Sequence, residues 1–164
     1  MANGVVSVRP VASSADFEFM LALTPRLAAG IEPRSHSRAE ISAFQDRFTR
    51  EMLERATTDS LTLLALVEGE RAGFVHVVRA KDEITGEDCA YVALLAVVAE
   101  AEGQGLAAKL MQEAEDWAVA KGFARLSLEV FESNVRAKSF YDRLGFRADT
   151  IRMVKRIGQD RADG

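Results

Sequence analysis

The sequence predicts a mixed α/β (α+β) fold, a central mixed sheet of about six to seven strands flanked by about four helices. Three observations carry this. Short apolar runs in the first part of the chain are joined by tight glycine-containing turns, as in an antiparallel meander. Farther on, strand-length runs alternate with helical stretches, which requires crossover connections and parallel pairing. Between the two regimes, the apolar run at residues 91–98 gives way to Gly103-Gln104-Gly105-Leu106-Ala107 and continues as a helix over 106–121.

In chain order, residues 5–10 alternate weakly and form a first strand that Pro10 ends. Ser13 or Ser14 caps a helix whose apolar positions Phe17, Met20 and Leu21 recur at helical spacing, and residues 27–33 interrupt it. Ser37-Arg38-Ala39-Glu40 is a capping box, the serine accepting from the Glu40 N–H while the glutamate reaches back to the Ser37 N–H. The helix it opens carries Ile41, Phe44, Phe48 and Met52 on one stripe. Strands at 61–67 and 73–79 flank Glu68-Gly69-Glu70-Arg71, a hairpin turn, and the Thr85-Gly86 turn leads into a strand at 89–98. The helix over 106–121 buries Leu110, Ala114 and Trp117 and stops at Gly122. A strand at 124–131, a short helix at 134–143 and a last strand at 147–157 follow, with a polar tail at 158–164 expected to fray.

No repeat, linker or low-complexity segment divides the 164 residues, so the chain reads as a single domain, 1–164, large enough to bury a core. With 48% hydrophobic and 28% charged residues the composition is that of a folded globular protein. A net charge of -4 speaks against nucleic-acid binding, and no run reaches membrane-spanning length. Cys89 is the single cysteine, which rules out an internal disulfide and reads as a small core residue. Residues 1–9 lack the apolar stretch of a signal peptide, so a cytoplasmic location is expected.

The glycine-rich segment is the first candidate for chemistry. A strand that breaks at glycines and restarts as a helix presents unpaired backbone N–H groups at the positive end of a helix dipole, a seat for a phosphate. About thirty residues on stands Asn134-Val135-Arg136-Ala137-Lys138-Ser139-Phe140-Tyr141-Asp142-Arg143-Leu144-Gly145-Phe146. This run resembles the N-x-x-A-x-x-[aromatic]-Y-x-x-[apolar]-G-F signature of the GNAT superfamily of N-acetyltransferases. The stretch from Leu95-Ala96-Val97 through Gly105-Leu106-Ala107 is similar to that family's acetyl-coenzyme A motif. The two segments occur in the family's order, and the resemblance covers a catalytic core at about residues 61–157. It implies the GNAT fold, in which two adjacent parallel strands splay apart around the cofactor.

The resemblance also assigns roles. Pantetheine would lie along the backbone of Leu95, Ala96 and Val97, and the pyrophosphate over Gly103, Gln104, Gly105, Leu106 and Ala107. A backbone N–H near Val97 would polarise the thioester carbonyl. Tyr141 matches the family tyrosine that protonates the departing thiolate, a task suited to a phenol that is neutral at pH 7. Asn134 would hydrogen-bond the coenzyme and equally suits an N-cap. The family loop begins with Arg or Gln, whereas both possible registers here begin with an acid, Glu100 or Glu102, which opposes a phosphate. Lys109, Arg136 and Lys138 are candidates to replace the missing positive charge, Lys138 being the one assigned to the coenzyme.

For the amine proton, strand alternation sets Ser127 and Glu129 opposite Leu126, Leu128 and Val130. The run Leu128-Glu129-Val130 followed by Asn134 is similar to GNAT enzymes that acetylate protein N-termini, where the matching glutamate is the base. Burial on a strand would raise such a carboxylate toward the useful range, while a water chain serves in other members. Glu32, Arg34 and His36, in the connection between the first two helices, are candidate acceptor contacts. His36 and His76 are isolated, so no metal site is expected. The expected activity is transfer of an acetyl group from acetyl-coenzyme A, as co-substrate, to a primary amine of a small molecule or a peptide N-terminus. The alternative is a non-catalytic acyl-coenzyme A binding module of the same fold. A homodimer is compatible with the fold.

Overall fold

One sheet of five strands, in the order β1-β2-β3-β4-β5, forms the centre of the computed structural model, which describes residues 4–158. Residues 159–164 of the predicted tail lie outside the described residues. Strands β1 (Val6–Pro10), β2 (Ser60–Val67), β3 (Glu70–Lys81) and β4 (Asp88–Val97) pair antiparallel in succession. β5 (Leu126–Leu128) joins β4 in parallel after a helical crossover.

Helices α1 (Ser14–Ala22), α2 (Thr24–Ala28) and α3 (Arg38–Glu54) cover one face. Their Met20 and Leu53 pack with Leu64, Phe74, Leu94 and Ala96 of the sheet. α4 (Leu106–Ala120) covers the other through Leu106, Leu110, Met111, Ala114 and Ala118, with α5 (Val135–Arg143) beside it. Local chemistry fixes the ends of these helices. Ser13, rather than Ser14, caps α1 by accepting from the Asp16 N–H at 3.2 Å. The capping box of α3 is complete, with Ser37 N–H to Glu40 Oε2 at 2.6 Å and Glu40 N–H to Ser37 Oγ at 3.1 Å.

Four expectations need correction. The sheet has five strands among the described residues, not six to seven, because residues 147–157 form no strand. The edge they would join is three residues long and offers almost no ladder to extend. β5 is likewise shorter than the predicted 124–131. A separate helix, α2, makes five α-helices instead of four, since the chain turns at Leu23 and Pro25 restarts a helix in its first turn. The most buried positions of α3 are Ile41, Gln45, Thr49 and Leu53; of the expected stripe Ile41 is buried, Phe48 and Met52 pack half-buried against the core, and Phe44 does not. Gln45 Nε2 donates to Thr49 Oγ1 at 3.3 Å, which lets two polar side chains face the core. Phe44 stays exposed, stacked on Phe48 and edge-on to Phe131 at 6.4 Å.

Two charged or titratable groups are fully buried: Asp16, which the sequence reading does not single out, and His76, which it places in a strand as a structural residue. Asp16 is fully buried and receives Arg9 Nη1 and Nη2 at 2.7 and 2.9 Å, Arg71 Nε at 2.7 Å and the Ala12 N–H at 2.9 Å. The Arg9 hydrogen bonds, then the Ala12 N–H and Arg71, hold its carboxyl far below the usual carboxylate range. Asp16 thereby ties β1, α1 and β3 together. His76 on β3 is also fully buried, its Nδ1 2.8 Å from Thr62 Oγ1 on β2. Its Nε2 meets no partner at hydrogen-bonding geometry, and burial pushes the imidazole down to about 4 against a weak opposing pull from the Met52 backbone. Cys89 is buried, as the sequence reading has it.

Candidate active site

The sheet opens where β5 ends. β4 and β5 pair at Ala90↔Leu126, Tyr91↔Ser127 and Val92↔Leu128, and β4 then runs on to Val97 without a partner on that side. A bulge at this point, where β3 steps from His76↔Leu94 to Val77↔Val92, leaves Ala93 unpaired and turns the remaining strand. The splay between parallel strands expected from the resemblance is therefore present. Leu95, Ala96 and Val97 lie on the free stretch, held on the other side by Val75, Phe74 and Gly73. Their outward N–H and C=O groups are the hydrogen-bonding edge that a strand-like ligand can complete.

Beyond β4 a 3₁₀ turn (Ala99–Ala101) leads to Glu102 and then to Gly103 and Gly105, with φ of 74° and 78°. Glycine takes such angles at no steric cost where branched residues are strained, and a Cβ on either would meet nothing within 4 Å, so the space above the loop is open. α4 starts at Gly105 with no side-chain cap, its first N–H groups facing that space. Leu106 is buried and anchors the turn, Ala107 is half-buried, and Gln104 donates to the Glu100 carbonyl at 3.2 Å, so all three offer backbone rather than side chain.

α5 closes one flank. Asn134 caps it by accepting from the Ala137 N–H at 3.2 Å, which is the second of its two expected roles. Tyr141 packs between Phe140 and Phe146, with ring centroids 5.1 and 5.7 Å away. Burial pushes its phenol up to about 12 and keeps it protonated across the neutral range. Lys138 turns to the Glu132 carbonyl at 3.2 Å rather than toward the glycine loop.

Glu129 lies one residue past β5 and is exposed, which corrects its expected place inside a buried strand. Its charge is nevertheless felt by Tyr91 on β4, whose phenol rises to about 12 through burial first and the Glu129 charge second.

The connection between α2 and α3 reaches the same region. The Glu32 N–H donates to Ser133 Oγ at 3.1 Å, and Arg34 pairs with Glu132 at 3.1 Å. Gly30 lies so close to Asn134 that a Cβ would stand 2.9 Å from its Oδ1. Glu32 and Arg34 are thus brought beside the β5–α5 junction. His36 is not; it is exposed, just before the Ser37 cap of α3. Among the described residues no group of three or more His, Cys, Asp or Glu is placed to hold a metal.

Glu102, expected to oppose a phosphate, is paired instead. Its two carboxylate oxygens receive Arg26 of α2 and, at 2.8 Å, Arg136 of α5. Both arginines, Arg136 foremost, hold the carboxyl below its ordinary range. Arg26 was not singled out from the sequence, since nothing local marks a residue whose partner is 76 positions away.

Comparisons with known proteins bear on the fold and the family. A structure described as a putative acetyl transferase from Pyrococcus furiosus superposes with a TM-score of 0.75 at 23% identity, covering 93% of this chain and all of that one. A GCN5-related N-acetyltransferase from Ralstonia eutropha gives 0.71 at 19% identity over 93% of this chain and 99% of its own. An aminoglycoside antibiotic 6′-N-acetyltransferase from Acinetobacter haemolyticus gives 0.64 at 21% identity, with 93% and 99% covered. At these identities the likeness shows the fold. In sequence, the chain is 46% identical over 56 residues to N-alpha-acetyltransferase 30 of Schizosaccharomyces pombe, a match spanning 34% of this chain and 37% of that relative. No helix among the described residues is long and apolar enough to cross a membrane. The model of the acetyltransferase (GNAT) family matches residues 28–146, from the end of α2 through the Tyr141 helix, and so takes in both the free edge of β4 and the glycine loop; the chain belongs to that family.

Proposed function

We propose that the protein is an acetyl-coenzyme A dependent N-acetyltransferase acting on a primary amine, its residues forming a single N-acetyltransferase domain. The observation that carries the proposal is the unpaired stretch of β4 running into two left-handed glycines at an uncapped helix start. The strand edge suits the amides of pantetheine, and the loop N–H groups suit a pyrophosphate. The amine attacks the thioester carbonyl, the carbon–sulfur bond breaks, and the thiolate takes the Tyr141 proton. Burial raises the phenol to about 12, so Tyr141 holds its proton at neutral pH and has one to give. Glu129, exposed at the end of β5, or a water chain takes the proton from the amine. Glu32 and Arg34 border the acceptor side.

Coenzyme release with a panel of amines tests the activity. The relative named as an N-alpha-acetyltransferase puts peptide α-amines first, and the aminoglycoside enzymes of the same fold put aminoglycosides second. Binding of acetyl-coenzyme A with no turnover on any amine leaves the non-catalytic module. Calorimetry on Gly105→Val tests the seat, with an expected loss of affinity of about tenfold or more as the branched side chain fills the open space and strains a left-handed φ. Gly105→Asn tolerates that φ and separates the two causes. Unchanged affinity in a folded Val variant rejects the loop as the phosphate seat.

A further inference from the structure

Arg26, Glu102 and Arg136 stand at the mouth of the glycine loop and link three elements that share no hydrogen-bonded ladder: α2, the turn before Gly103, and the first turn of α5. We infer that these three residues form an anion-responsive clasp, in which the pyrophosphate of the coenzyme takes the two guanidinium groups from Glu102. Arg26 and Arg136 then supply the positive charge that the acid at the head of the loop withholds. The inference rests on the loop being the coenzyme's phosphate seat.

The charges favour exchange. Two guanidinium groups face one carboxylate, so the cluster carries a surplus positive charge before any ligand arrives. A pyrophosphate brings more negative charge and more acceptor oxygens than the carboxylate it displaces, and its oxygens match the guanidinium fork. Arg26 holds a donor in reserve, its Nε buried without a hydrogen-bond partner. Arg136 is three-quarters exposed and moves at little cost. Glu102 itself is not locked in the core, with 31% of its side chain accessible, and released from the pairs it turns to water. Gly103 follows it immediately, so the carboxylate that gathers both arginines stands next in the chain to the N–H groups that would hold the phosphates. The carboxylate thus stores two phosphate ligands in place while the seat is empty.

Opposite signs make the inference testable. Calorimetric titration with coenzyme A should give about five- to tenfold weaker binding for Arg26→Gln and Arg136→Gln, and tighter binding for Glu102→Gln, because the amide no longer competes for the guanidinium groups. The gain from Glu102→Gln should vanish when Arg26→Gln and Arg136→Gln are both present. The loss in each arginine variant should shrink at high salt. Arg136 is exposed enough that its variant keeps the fold, so that arm stands even if Arg26→Gln is unstable. A Glu102→Gln variant that binds coenzyme A more weakly or equally, or arginine variants with wild-type affinity, overturns the clasp. Wild-type protein that fails to bind coenzyme A at all overturns the phosphate seat instead.

Discussion

From Ser60↔Val78 to Val67↔Glu70 the β2–β3 ladder runs the length of β2, broken only by a bulge that leaves Ala72 without a partner, whereas β4 and β5 share three residue pairs before they part. Around the first stand the buried groups with tight partners: Asp16 gripped by two arginines, and His76 against Thr62. Around the second stand exposed charges, a helix with no fully buried residue, and two glycines over open space. The antiparallel half satisfies its polar groups internally, and the parallel edge leaves them for a ligand. A substitution in one half should therefore move stability, and one in the other should move activity.

The largest expected effect is Tyr141→Phe. If Tyr141 protonates the thiolate, turnover falls roughly 10²–10⁴ fold while the melting temperature and coenzyme affinity stay close to wild type. Steady-state rates at saturating substrates together with a thermal melt check it. A large drop in melting temperature at unchanged turnover would assign Tyr141 to the packing of Phe140 and Phe146 and break the division between the halves.

Asp16→Asn should do the reverse, lowering the melting temperature by roughly 10 °C with turnover on bound substrates little changed, because Arg9 and Arg71 lose their shared buried carboxylate. The pH sign follows from the depressed carboxyl. Its stabilisation is complete above the unfolded-state value near 3.9 and is lost as the pH falls below it toward the native value. Wild type should lose stability on acidification below about pH 4 more steeply than Asp16→Asn. Parallel denaturant midpoints for the two, or a variant as stable as wild type at pH 7, would show the carboxylate to be dispensable.

What could be read in the sequence divides along the same line. Signals that act within a few residues were legible: the Ser37–Glu40 box, the glycine loop, the Asn134 cap, and the motif that places Tyr141. Pairings across long separations were not. Asp16 to Arg71 spans 55 residues and Arg26 to Glu102 spans 76, and no local pattern distinguishes such a residue from any solvated charge. In the α3 stripe Ile41, Phe48 and Met52 do pack inward and only Phe44 is left out, for a related reason. Hydrophobic periodicity selects aromatic positions, while the core accepted Gln45 and Thr49 because they satisfy each other. Glu129 was set in a longer strand than forms, since alternation persists in sequence after the ladder has ended.

His76 offers the smallest effect and the finest probe of the antiparallel half, because one of its ring nitrogens is the exception to complete satisfaction there. Its native value near 4 lies below the unfolded value near 6.5, so acid favours the unfolded chain, which binds the proton first. Stability contributed by the neutral imidazole is complete above about pH 6.5, declines as the pH falls, and is gone near pH 4, a loss of roughly 3 kcal/mol. His76→Asn, whose amide can still reach Thr62, should be less stable at pH 7 but should not share the decline. Denaturant midpoints at pH 7 and pH 5 give the slope. With His36→Asn removing the other imidazole, a nuclear magnetic resonance titration of the remaining ring reads the native value directly. A ring that titrates near 6.5 in the folded protein, with equal pH slopes for wild type and His76→Asn, would mean that water reaches Nε2 and that this half of the sheet is as open as the other.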